Sequence, residues 1–452
     1  MGYSLSRDFH RPRSGGVLPL TVLSLSVLAG VVALVVDGGT LMEARRHVQA
    51  GADAAALAGA ADLFTNYIAN QGTDPNGTAT ASALTTASAN GYTNDGVQSV
   101  VTVSVSPQNY QGGPNVGLPL PAGYIEVIVQ YNASHLFTGI FGAGTTPVVA
   151  RAVARGRTTP LSNNSVVTMN TSFAPSIQVG LLSSLQTSAG VTVNSNSSSI
   201  LSLAGSTGIT ASQFNVTASA SSGLGSILSE LHGLGGTSPT IKTISSIPDP
   251  LRFLPVPNST SLGLTTKATN LLVGSGTMNL YPGIYSGGIR VVGSATVILH
   301  ANTDGSPGIY FLEGTTGLQV LMGGSVMTAP GETAGVMIFN EWSSATATVN
   351  LSSTGKVSLI PPSSGTYRGV GIFQQAGTPT APGPTISLNG NGSVNLAGTV
   401  YAPHAPVSLS SKNPANVMGG QIVSDTLSVS GSVYVSSGSQ PVASERIFGL
   451  VE

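Results

Sequence analysis

Charge is scarce in this chain. Of 452 residues, sixteen are Lys or Arg and seventeen are Asp or Glu, 7% in all, where a soluble domain usually carries about 25%. The net charge is −1, so no basic surface is available to hold nucleic acid through its phosphates. Charge-driven disorder is also excluded, because 41% of the residues are hydrophobic. Cysteine is absent, which rules out disulfide staples, thiolate metal sites and a cysteine nucleophile. Aromatics make up 5%, with one Trp, so a large core must be built from Val, Ile, Leu and Ala. The length allows about three domains at roughly 150 residues each.

What is present begins with a long apolar run. Residues 14–36 carry no charge, and Val17–Val36 is almost wholly apolar. About 20 helical residues span a hydrocarbon core of about 30 Å. Arg7, Arg11 and Arg13 precede the run and Asp37 closes it. The positive-inside rule then puts the N-terminus in the cytoplasm and the bulk of the chain outside. The apolar core of a cleaved signal peptide would be shorter, about 7–15 residues, so a retained anchor is expected. Pro19 falls in the first turn, where a missing N–H costs little.

Residues 38–67 are rich in Ala and strong in helix propensity. Leu41, Val48, Ala52, Ala55, Gly59 and Leu63 share one helical face. Gly51, Ala55 and Gly59 would let another backbone approach closely, either within the same domain or from another subunit. A second helix is predicted over Ala79–Asn90. Strand patterns follow at Val101–Val105, Tyr124–Tyr131 and Pro147–Arg157. These elements predict a small α+β, pilin-like unit.

The span ending in Val36-Asp37-Gly38, the stretch RRHVQAGADAAALAGA at Arg45–Ala60, the Ala89-Asn90-Gly91-Tyr92 turn and the closing strand PVVARAVAR together resemble the TadE/TadG-like proteins of the tight-adherence (Flp) pilus machinery. The resemblance covers about residues 13–158. It implies a membrane-anchored accessory or structural component of a Tad-type pilus or secretion system. Its partners would be the inner membrane and other pilus components. The chain departs from two family patterns. Gly15-Gly16 is followed by Val-Leu-Pro-Leu-Thr, without the glutamate of a pilin processing signal, and no Asp-x-Ser-x-Ser motif of a von Willebrand type A domain occurs.

Residues 159–452 repeat. Aligned on Gly293, Gly324, Gly355, Gly392 and Gly431, at intervals of 31, 31, 37 and 39, they place Ile289, Val320, Leu351, Leu388 and Leu427 four positions before. Two positions after stand Ala295, Val326, Val357, Val394 and Val433. Even offsets share one face of a strand. Repeats of this length, with strand periodicity and turn glycines, predict a mainly-β right-handed β-helix, or solenoid. Ser188–Asn196 and Leu201–Thr217 have the texture of its first coils. A helix candidate at Leu224–Leu234 and the Pro-rich IPDPLRFLPVP read as an insertion or boundary.

The segments NLYPGIYSGGI, DGSPGIYFLEG, GTVYAPHAPVSL and GGQIVSDTLSVSG resemble β-solenoids appended to TadG-related envelope proteins. They are more distantly similar to ice-binding-like adhesion solenoids. The expected domains are a cytoplasmic basic N-terminus (1–13), a transmembrane helix (14–37), the TadE/TadG-like α+β domain (38–158), an irregular β-rich region (159–260), the β-solenoid (261–440) and a C-terminal tail (441–452).

Chemistry is sparse. His10, His47, His135, His232, His300 and His404 are isolated, and no phosphate-binding glycine motif stands in a strand–loop–helix context. A polysaccharide-degrading β-helix would stack carboxylates on one face. The candidates are Asp304, Glu313, Glu332 and Glu341, with Arg290, Lys356 and Arg368 as cations. Their successive spacings of 9, 19 and 9 predict no vertical row. The chain is therefore expected not to be an enzyme, and no catalytic, cofactor-binding or metal residue and no cofactor is assigned. The other reading is a surface adhesin whose solenoid binds a repetitive ligand, polysaccharide or ice. Thr346 and Thr348 form one Thr-x-Thr, without the stacked ladder that an ice face wants.

Overall fold

The computed structural model describes residues 17–451 except 136, 138–143, 161–162, 172–174, 196, 198–200, 204, 218–224, 226–227, 379–380, 437 and 439. The basic N-terminus expected over residues 1–13 lies outside the described residues. The chain divides into two units. One is Met1–Arg157 with Ile447–Glu452, and the other is Thr158–Arg446.

In the first unit a single helix, α1 (Val17–Asn70), runs for 54 residues, about 81 Å at 1.5 Å per residue. It stops at Gln71 and Gly72, both left-handed with φ of 51° and 76°. A shorter helix, α2 (Thr78–Ala89), starts where the Asp74 carboxylate accepts the N–H groups of Ala79 and Thr80 at 3.2 and 2.9 Å. Strands β1 (Ser99–Val105), β2 (Tyr124–Ser134) and β3 (Thr145–Pro160) form an antiparallel sheet. The C-terminal half of α1 packs Val48, Ala52, Ala55, Ala56, Ala60 and Leu63 against α2 and this sheet.

The small residues of α1 are used inside this unit. A side chain at Gly51 would meet the Tyr92 ring, and one at Gly59 would meet Ile125 and the Ala79 carbonyl. The stretch 441–452, expected as a C-terminal tail, contains a strand. Strand β4 (Ser444–Leu450) extends the sheet beside β3, and Phe448 meets Phe64 edge-on at 6.0 Å. Nothing local in the sequence marks this pairing, because the partner strand is far away along the chain.

The second unit is a parallel β-solenoid. Each full coil contributes three strands, and each strand pairs with its counterpart in the next coil. Coil 308–328, for example, consists of Gly308–Gly314, Leu318–Met322 and Ser325–Thr328. These pair with Val336–Trp342, Val349–Ser353 and Lys356–Leu359. Three ladders result. The second and third alternate inward and outward residues. On the first both sides are buried, as in Val336–Asn340 and Val370–Gln374.

The inward column Val297, Val326, Val357 and Val394 is in register, and Val326, Val357 and Val394 are buried. The first glycine-aligned copy is shifted by two. Val291 and Val297, not Ile289 and Ala295, oppose Val320 and Val326. The cause is backbone conformation. Gly293 (φ 63°) is matched one coil later by Met322 (φ 60°), a non-glycine in the same left-handed turn. Alignment on glycine therefore picked Gly324 instead. The interval from Gly392 to Gly431 also holds an extra coil, because Leu388 pairs with Leu409 and Leu409 with Val429.

The coils are not stacked in chain order. Gln421–Ser424 pairs with Asn164–Thr168, and Leu427–Val435 pairs with Ile177–Val179 and Ser184–Thr187. Thus the segments 188–196 and 201–217, expected to form the first coils, belong to a region, 164–244, that continues the stack beyond residue 435. Among the described residues of 224–234 there is no α-helix. Leu231–Gly233 is a strand following a 3-10 turn.

After Ile244 the Pro-rich segment crosses back over the first ladder. Asn194 holds Ile247 through both backbone groups, at 2.9 and 2.7 Å. Tyr401 donates to Asp249 at 2.7 Å. Thr265 accepts the N–H of Ile284 at 2.9 Å. Leu251 packs with Phe311, Phe339, Phe373 and Tyr401, and Ile247, Leu254 and Leu264 join them. The segment spans the array and delivers the chain to its far end.

Candidate functional surfaces

The apolar half of α1 is the first candidate. Leu18, Leu23, Leu25 and Leu34 are all exposed. Among the described residues α1 is the one helix long and apolar enough to cross a membrane. Asp37 ends the apolar stretch and is buried, accepting the N–H of Phe137 at 3.1 Å. A buried ion pair ties the loop before β2 to the sheet. Glu126 accepts from Arg151 Nε at 2.6 Å and from the N–H groups of Gln111 and Gly112 at 2.6 and 3.2 Å. Each oxygen has a partner, which makes the pair structural.

The second candidate is the outward column of the second ladder. Arg290, Gln319, Asn350, Ser387, Ser408, Ser428 and Gln178 are successive partners. One formal charge stands in this run. The alternating positions of the sequence repeat carry the signal for this column.

The carboxylates give a correction. Glu313 and Glu341 are Cα partners in adjacent coils, so a vertical pair exists where successive spacings predicted none. Burial, and then the charge of Glu313, push the Glu341 carboxyl above the ordinary carboxylate range. Glu332 is used locally, accepting from Ala301 and Ala334 N–H. Asp304 accepts from Ser306, whose hydroxyl and N–H hold its carboxyl below the usual range. Arg290 lies in the polar column, Lys356 opposes Ser393, and Arg368 donates to Ser363 O at 3.2 Å. No group of three or more metal-ligating side chains occurs among the described residues.

The histidines are dispersed. His47 is 3.7 Å from Glu43, His135 contacts Thr146, and His300 stacks on Tyr281 and contacts Asn279. His232 opposes Thr210 in the third ladder, and His404 occupies a left-handed turn. His10 lies outside the described residues. Thr346 caps a turn by donating to Thr315 O and belongs to no threonine ladder.

Residues 15–62 match the family model described as Putative Flp pilus-assembly TadE/G-like. Over this stretch the chain is similar to TadE/G-like Flp pilus-assembly proteins. The match covers the apolar half of α1 and most of the half packed on the sheet. It supports a pilus-associated accessory role. No curated protein matches the chain, and no solved structure matches it.

Proposed function

We propose that this chain is a non-enzymatic, membrane-anchored structural component of a Tad-type (Flp) pilus or secretion apparatus. The solenoid would be the surface it presents outside the membrane for adherence. The observation that carries the reading is the continuity of α1. The exposed apolar half and the half that forms the core of the TadE/G-like domain are one unbroken helix. An unbroken helix of this kind would carry the domain directly on a retained anchor.

The test is topology together with association. An N-terminal tag should resist protease in intact spheroplasts while the solenoid is digested. Membrane extracts should co-purify the chain with Tad components. A soluble form starting near Gly38, or a solenoid protected along with the tag, would overturn the anchored reading.

The polar column of the second ladder favours a second reading, an adhesin that binds a repetitive ligand. Parallel coils repeat about every 4.8 Å, so a flat row of Ser and Asn offers evenly spaced hydrogen-bonding groups. Loss of surface attachment when Asn350, Ser387 and Ser408 are all replaced by Glu, with pilus components still associated, would favour it.

A further inference from the structure

The first ladder changes chemistry along its length. Beneath the crossing segment its outer column is aromatic. Phe311, Phe339, Phe373 and Tyr401 follow one another, with ring centroids 4.8, 5.3 and 4.9 Å apart. The column continues through Val423 and Val167 and then turns polar at Thr192, Asn215 and Lys242, each the partner of the residue before it. At this polar end lies a cleft of about 760 Å³.

Its polar groups are fixed in place. Thr192, 1% exposed, donates to Asn164 Oδ1 at 2.7 Å. Asn215 donates to Thr192 Oγ1 at 3.0 Å and to Asn164 Oδ1 at 3.3 Å. Gln213 donates to Asn215 Oδ1. Ile244, Ile247, Pro248 and Pro250 supply apolar surface in the same lining, and the two charged residues, Lys242 and Glu445, are opposite in sign.

We propose that this cleft binds a neutral oligosaccharide of a few sugar units. Side-chain amides offer donor and acceptor together, which is what adjacent sugar hydroxyls require. The apolar surface suits the C–H faces of pyranose rings. Balanced formal charge gives no net attraction to a phosphate or a polycation. Amides already locked to one another lose little freedom when a ligand arrives. The volume falls within the range of about 300–1,000 Å³ usual for small-ligand sites. The proposal rests on the reading of the solenoid as the presented part of the molecule, and it assigns a ligand class to one place on it.

The test is calorimetric titration of the full chain in detergent micelles with maltotriose, cellotriose and triacetylchitotriose, and with a trigalacturonate as charged comparator. Saturable binding of at least one neutral trisaccharide is expected. Asn215→Ala should weaken it at least tenfold. Ser212→Trp, at an exposed position of the lining, should block it without touching the core. Asn350→Ala, on the second ladder, should leave it unchanged. Retention on insoluble peptidoglycan, as against an insoluble neutral glucan, would distinguish the cell's own wall from an outside polysaccharide as the source.

Absence of saturable binding to all three neutral sugars, tighter binding of the uronate, or binding that survives Ser212→Trp would overturn the proposal. Loss of sugar binding while Tad components still co-purify removes the cleft alone. Sugar binding without such association removes the pilus reading and keeps the cleft.

Discussion

A carboxylate at position 357 would stand between Val326 and Val394 in a column that is nearly closed to solvent. Neither neighbour can pair with it, so Val357→Asp should cost more than about 3 kcal/mol or force the new group to stay protonated. Asn395→Asp, one residue beyond Val394 and outward, should stay within about 0.5 kcal/mol. Thermal unfolding of the full chain in detergent checks both, and equal stability of Val357→Asp and the parent would place the column outside. Glu341 gives a second prediction. Its carboxyl is raised in the folded chain by burial and then by Glu313, so the folded state holds the proton more tightly than the unfolded one. Stability from this group is full below the unfolded carboxylate pKa and falls as pH rises through the folded value. Glu341→Gln should therefore melt higher than the parent at pH 7 and equally at pH 3.5. The valine column was legible because strand alternation is rigid. The Glu313–Glu341 stack was missed because successive spacings hide a coil that skips over Glu332.

At the scale of elements, the crossing segment decides how the first ladder is covered. Leu251 is 2% exposed among the aromatic rings, and Leu251→Ala should cost about 2–5 kcal/mol as a core truncation. Tyr401→Phe removes the clasp to Asp249 and should cost about 1–3 kcal/mol. Denaturant unfolding followed by Trp342 fluorescence would measure both, and loss from neither would mean that the segment does not hold. The prolines marked this stretch as a break in the sequence, but its destination was not legible. Apolar residues in a loop do not state which buried face they cover. Likewise the small face of α1 was readable as a close-packing surface, while its occupants, Tyr92 and Ile125, were not.

For the whole molecule, the decisive fact is the order of the coils. The coil that begins at Asn164 stacks on one formed by residues 421–435. Solenoid stability comes from neighbour interfaces, so residues 158–260 expressed alone should remain sensitive to protease. Residues 261–446 supplied as a separate chain should restore protection. Protection of 158–260 by itself would show that those coils need no docking surface. The solenoid class was visible in the repeat. Its permuted order was not, because nearest-neighbour packing looks the same whichever way the chain is threaded through it.

That threading also sets how the solenoid bears tension. The chain enters at the coil of Asn164 and leaves from the coil ending at Val435, and these two coils are adjacent. The strands outside them, β3 and β4, are neighbours in one sheet. A pull on these two strands loads the pairing between them first, and only when that gives the bonds joining residues 422–424 to 166–168. The coils on either side of that seam lie off the load path and are spared the strain, so the array can yield at one central joint while its outer coils keep their shape.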